Sequence, residues 1–157
     1  MWREAFDGYE GNSLIIATRR IASLRSLKKA VDEDLLVRVE DLVMADAFGS
    51  LLEQADHLIS KCYSLAAGVL GRAVLKEHLR KLCDRNGCLP TGRPTINDLN
   101  QELYKNSHLD KIAVQNVTAM AATGNHCSHN VHPKLSDADV KKFLDDVRTF
   151  LGRHPLP

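Results

Sequence analysis

The chain has 157 residues, 44% hydrophobic and 26% charged, with a net charge of +1. That length holds one domain, or one domain with a helical extension, and a core burying roughly two-thirds of the surface its unfolded chain exposes. The charge balance argues against a globally basic nucleic-acid binder, no apolar run approaches the ~20 residues that span a bilayer, and acids near the start do not suit a signal peptide.

Aromatic residues make up only 5%. The core must then be mostly Leu, Ile, Val and Ala, which favours helices packed on helices over a β-sandwich. A cytoplasmic protein is expected, with Cys62, Cys83, Cys88 and Cys127 as thiols rather than a disulfide framework.

Residues 1–12 hold Gly8 and Gly11 without periodicity and read as a loosely attached terminus. From Ser13 to Val31, Leu14, Ala17, Ile21, Leu24 and Val31 recur at helical spacing, after an N-cap at Asn12 or Ser13. All charges there are basic: Arg19, Arg20, Arg25, Lys28 and Lys29. The next run, Asp32 to Ser60, has eight acids against one base, Arg38. The simplest expectation is that the basic helix lies antiparallel beside the acidic one; nucleic-acid binding by the basic helix is the sharper alternative. The apolar phase shifts between Leu35–Val43 and Leu51–Cys62, which predicts a break at Asp46 to Ser50, around Gly49. The chain is accordingly divided into a tail and helical extension over 1–46 and a core module over 47–157.

Ser64 to Arg85 has the strongest helix propensity, with small residues at Ala66, Ala67, Gly68, Gly71 and Ala73 and a C′ glycine at Gly87. Cys88 to Pro94 is a loop. Thr95 and Asp98 form a capping box for a short helix ending at Lys105. Lys111 to Asn125 or His129 is the next helix, burying Ile112, Val117, Met120 and Ala121. Ser136 and Asp139 cap the last, whose Val140, Phe143, Leu144, Val147, Phe150 and Leu151 form one stripe until Gly152 and Pro155. No convincing strand is found.

The chemically dense stretch is Thr123 to His132, with three of the seven histidines and one cysteine. His126, Cys127, His129 and His132, with Cys83 and Cys88 further off, are potential metal ligands, but their spacing fits no zinc pattern and no metal is expected. Otherwise Cys62, Cys83 and Cys127 are small buried hydrophobes and Cys88 a loop thiol. Cys127 or Ser128 beside His129 does not make a nucleophile pair, because helical neighbours one or two apart do not face each other. No phosphate loop, nucleophile elbow or dinucleotide fingerprint occurs, so no cofactor is expected. For metal-independent work on RNA, a histidine such as His129 suits the 2′-hydroxyl and an arginine suits the phosphate. One turn back from His129, where that arginine would serve, stands Gly124.

Leu65 to Cys83, Ile96 to Lys105, Leu109 to Lys111, the helix ending Gly124 to Asn130 and the closing helix from Asp137 to Leu151 together resemble a HEPN domain, over about Ala47 to Arg153. The resemblance implies an all-α, up-and-down HEPN-like bundle of about four or five core helices with an N-terminal helical extension, usually a homodimer, of a kind found in toxin–antitoxin and anti-phage defence systems. Many such domains are metal-independent endoribonucleases. Their Arg-x4-6-His motif meets its copy across the dimer interface, often with a helper acid. Carried over, Asn125 and His129 match the motif, Glu77 matches the helper acid, and Gly124 stands in place of the arginine. Losing such an electrostatic stabiliser costs about 100- to 1000-fold in rate. The candidates to substitute are Arg72, Arg80 or Arg85, from the preceding helix or the partner subunit, or His126 when protonated. The expectation is a dimerising RNA- or partner-binding module with a degenerate ribonuclease site. The alternative is an active endoribonuclease using His129, and the third a metal-binding regulator built on His126, His129 and His132.

Overall fold

The computed structural model of the chain describes residues 16–25, 28–29, 35–129 and 135–156, with the backbone alone at 35–41. Five helices are bounded: α1 Leu35–Ser60, α2 Ser64–Arg85, α3 Ile96–Lys105, α4 Lys111–His129 and α5 Asp137–Arg153. Residues 16–25 and 28–29 are also helical, and no strand occurs among the described residues. The protein is all-α, and no described helix is long and apolar enough to cross a membrane.

Two compact units divide the chain, the first ending at Met44 and the second being Ala45–Pro157. In the first, every described side chain from 16 to 29 is exposed, including Ile16, Ile21 and Leu24. Of the eight acids in the run expected beside this basic helix, Asp32, Glu33, Asp34, Glu40 and Asp41 lie outside the described side chains.

The predicted break at Asp46 to Ser50 does not occur: α1 runs unbroken through Gly49. An isolated helical glycine costs only about 1 kcal/mol against alanine, and Gly49 meets nothing within 4 Å. The helix spans the boundary between the two units. Its true end is the turn at Cys62, which has φ +63 and is exposed, not the buried end of a stripe.

In the second unit α2 is the central helix, packed against α3, α4 and α5. Its glycines explain how. A Cβ at Gly68 would stand 2.2 Å from Cys127 Sγ of α4, and one at Gly71 would stand 2.4 Å from Leu144 Cδ2 of α5. Neither helix approaches this closely unless those positions lack a side chain. Around them Val74, Leu75, Leu79, Leu99, Leu103, Val117, Val140, Leu144 and Val147 are almost completely buried. The aliphatic, aromatic-poor composition is therefore the composition of the core.

Local signals set the helix ends. Thr95 and Ser136 each accept from the backbone N–H three residues on, while Asp98 and Asp139 reach back to the cap N–H groups. Arg148 ties α5 to α1 through the Leu52 carbonyl and Asp56. Ile112, expected in the core, is 69% exposed, and Ala113 takes the buried place beside it. Among the described residues, His78 and Asn100 are the buried polar ones. Asn100 donates to the Val114 carbonyl at 3.0 Å and to Thr118 Oγ1 at 3.3 Å. His78 lies edge-on between Phe48 and Phe150, with Nε2 2.7 Å from the His154 carbonyl oxygen. A carbonyl only accepts, so Nε2 carries the hydrogen and the buried Nδ1 has no partner among the described residues. Burial lowers the His78 pKa from its ordinary value, so the neutral ring is the native form.

Candidate functional site

Gly68 meets Cys127 and Arg72 meets Gly124, so α2 and α4 run antiparallel with these residues level. At Gly124 the two helices are in closest register with a long side chain between them. A Cβ there would stand 2.9 Å from Arg72 Cβ, 3.0 Å from Cγ and 3.3 Å from Cδ. The stem of Arg72 lies across the bare α-carbon of Gly124. Past it, Arg72 Nε donates to Asn125 Oδ1 at 2.9 Å.

This bond orients the guanidinium. Nε is satisfied, and among the described residues the two terminal nitrogens have neither an acid nor a hydrogen-bond acceptor. Arg72 and Asn125 are both half-buried, which limits the solvent that competes for the pair. The terminal edge of the planar fork, with its two parallel N–H groups, matches an oxyanion such as phosphate or carboxylate.

His129 stands one turn beyond Asn125, on the same face of α4, and is exposed at the helix end. Ser128 is exposed, and its hydroxyl donates back to the Gly124 carbonyl of its own helix at 2.9 Å. His126 is half-buried, and Cys127 packs against Gly68, where burial raises its thiol pKa. On α2, the spacing of Leu65, Val69, Arg72 and Lys76 places them on one face. Leu65 and Val69 are 44% and 42% exposed. The face thus combines a held cation, a histidine and two uncovered aliphatic side chains.

Glu77 is not brought to this place. It lies five residues beyond Arg72 while His129 lies five residues the other way along the antiparallel helix, an axial separation of roughly 15 Å within one chain. Glu77 is instead held by Arg80, whose Nη2 and Nε donate to Oε1 at 2.7 Å and Oε2 at 2.9 Å. That hydrogen bond keeps the carboxyl below its ordinary pKa. Arg80 is occupied by the same bond. Of the three arginines considered from the sequence, Arg72 is the one whose stem meets the glycine. The signal was the pairing of one helix rich in small residues with a glycine in the next, but spacing alone does not say which side chain fills which gap.

No three His, Cys, Asp or Glu among the described residues stand together to hold a metal. His132, the third member of the histidine cluster, lies outside the described residues. A groove of about 710 Å³ between α4 and α5 lies elsewhere: Ile112, Met120 and Phe143 line it, and none of Arg72, Asn125, His126 or His129 does. The Arg72 face is the candidate site because Asn125 holds its guanidinium through Nε. Set against protein-family models, curated proteins and solved structures, the chain matches none.

Proposed function

We propose that the chain is a HEPN-like module that binds the phosphodiester backbone of RNA at the Arg72–Asn125–His129 face and pairs there with a second copy. On this reading the motif is altered, and its arginine is supplied from α2. A toxin or anti-phage defence setting is the context the resemblance implies. The observation that carries the reading is the Arg72 guanidinium, held through Nε by Asn125, with no acceptor on its outer edge among the described residues. The exposed Leu65 and Val69 beside it support a self-pairing surface.

A second reading, a metal-independent endoribonuclease, is favoured by the place of His129, one turn from the residue that anchors the cation. An imidazole in that position has the chemistry to take the 2′-hydroxyl proton.

One experiment separates them. Labelled single-stranded and hairpin RNA are incubated with the full chain in EDTA at low salt, with binding and cleavage followed together. The module reading expects binding that Arg72→Gln weakens and His129→Ala leaves largely intact, without cleavage. Cleavage abolished by His129→Ala establishes the second reading. Absence of any RNA binding at low salt overturns both. Light scattering at tens of micromolar tests the pairing; a strict monomer removes that part.

A further inference from the structure

The C-terminus of α2 holds a pair of thiols that the RNA reading does not use. Asn86 is the C-cap and Gly87 follows with φ +67. The Gly87 N–H donates to the Asp84 carbonyl at 3.1 Å, and the Cys88 N–H to the Cys83 carbonyl at 2.9 Å. These two bonds define a Schellman ending, in which the side chains of the third residue before the cap and the second after it touch. An apolar pair usually fills those positions. Here they are Cys83 and Cys88.

We propose that Cys83 and Cys88 form an oxidation-sensitive dithiol that closes to an intramolecular disulfide under peroxide. The 2.9 Å backbone hydrogen bond between them sets the two α-carbons within roughly the 4.4–6.8 Å span a disulfide requires. The glycine turn directs both side chains to the same side.

The two sulfurs differ in access, and this orders the chemistry. Cys83 is completely buried, with Sγ 3.6 Å from the Leu99 carbonyl oxygen of α3. Burial, followed by the neighbouring Cys88, pushes its thiol up to about 12. Cys88 is half-buried in the loop and meets the oxidant first. Its thiolate attacks hydrogen peroxide, the O–O bond breaks, and Cys88 becomes a sulfenic acid as hydroxide leaves. The Cys83 sulfur then attacks the Cys88 sulfur, the S–O bond breaks, and water departs with the Cys83 proton. Two thiols have lost two electrons and two protons, and one peroxide has become two waters. Contact between the sulfurs compensates for the weak nucleophilicity of the buried thiol. Closure also removes the Cys83 S–H that faces Leu99 on α3.

The other cysteines are placed differently. Cys127 is packed against Gly68, and Cys62 is exposed in the α1–α2 turn, where it is open to intermolecular chemistry. The test is therefore made on the full chain carrying Cys62→Ser. Hydrogen peroxide is added, remaining thiols are alkylated under denaturing conditions, and the product is mapped by mass spectrometry. The expected result is loss of two alkylatable thiols and a dithiothreitol-reversible link between Cys83 and Cys88. Adding Cys88→Ser abolishes it. Adding Cys83→Ala, if that chain folds, leaves a dimedone-reactive sulfenic acid at Cys88. Full retention of alkylatable thiols, or a sulfinic acid at Cys88 with Cys83 still reduced, overturns the proposal. None of these outcomes depends on RNA.

Discussion

Arg72 crosses α4 over the α-carbon of Gly124 and donates its Nε hydrogen to Asn125 Oδ1 at 2.9 Å. The glycine is thus the space through which an arginine from the neighbouring helix passes. A side chain at 124 and the present course of Arg72 exclude each other.

That exclusion gives Gly124→Ala an unusual sign. Alanine ordinarily gains about 0.5–1 kcal/mol over glycine inside a helix. Here its Cβ meets the rigid base of Arg72 at 2.9 Å, and overpacking of this kind costs about 1–3 kcal/mol. Denaturant unfolding should show a net loss and RNA titration a parallel loss of affinity; a stabilised variant would mean that the crossing is loose. For the same reason Gly124→Arg alone should not restore a motif, since it dislodges Arg72. The double variant Arg72→Ala/Gly124→Arg is expected to bind RNA better than Arg72→Ala.

Substitutions at Arg72 separate charge from geometry. On the proposed function, Arg72→Gln removes one phosphate contact and should lower the salt slope of single-stranded RNA binding by roughly 0.7. Arg72→Lys keeps the charge and the slope. It should still weaken binding, because an ammonium cannot hold Asn125 and present a planar fork together. Equal affinities for wild type and Arg72→Lys would exclude a bidentate role.

The helix-crossing glycines should part from the exposed one. Gly68→Ala and Gly71→Ala place a Cβ 2.2 Å from Cys127 Sγ and 2.4 Å from Leu144 Cδ2, and each is expected to lose about 1–3 kcal/mol or more. Gly49→Ala, with nothing within 4 Å, should gain about 0.5–1 kcal/mol. Three thermal melts measure the contrast, and a common sign would contradict the packing described for α2.

Stability should fall in mild acid. Burial lowers the pKa of His78, and of His154 next to it, in the folded chain. The unfolded state therefore takes up protons first. The contribution of these rings is fully present above the unfolded value near 6.5, declines as pH falls below it, and levels off beneath the folded values. Unfolding midpoints at constant ionic strength between pH 7.5 and pH 5 should drop. His78→Phe, whatever its absolute stability, should show a shallower dependence, with His154 responsible for what remains. An unchanged slope would mean that His78 is not buried in its neutral form.

Much of the helical layout was legible because its signals are local. The Thr95 and Ser136 capping boxes, the glycine after α2 and the stripe of α5 each depend on residues within one or two turns, and each stands where the spacing puts it. Gly49 misled for the complementary reason. A glycine and a change of apolar phase look like a break, but the helix runs on through both. Ile112 and Cys62 continued apolar stripes in sequence, yet the one faces outward and the other belongs to a turn.

The candidate site divides along the same line. The sequence by itself determined an all-helical chain with an aliphatic core, and it placed Asn125 and His129 one turn apart on one helix, because periodicity and capping are written in near neighbours. It did not determine that Arg72 fills the space over Gly124, that Glu77 turns to Arg80, or that His78 is enclosed by Phe48, Phe150 and the His154 carbonyl. The Arg72 and His78 contacts join residues thirty or more positions apart, and Glu77 had Lys81 and its other charged neighbours to choose among. Only the antiparallel register of α2 and α4, set by the close approach at Gly68 and Gly124, decides which side chains meet.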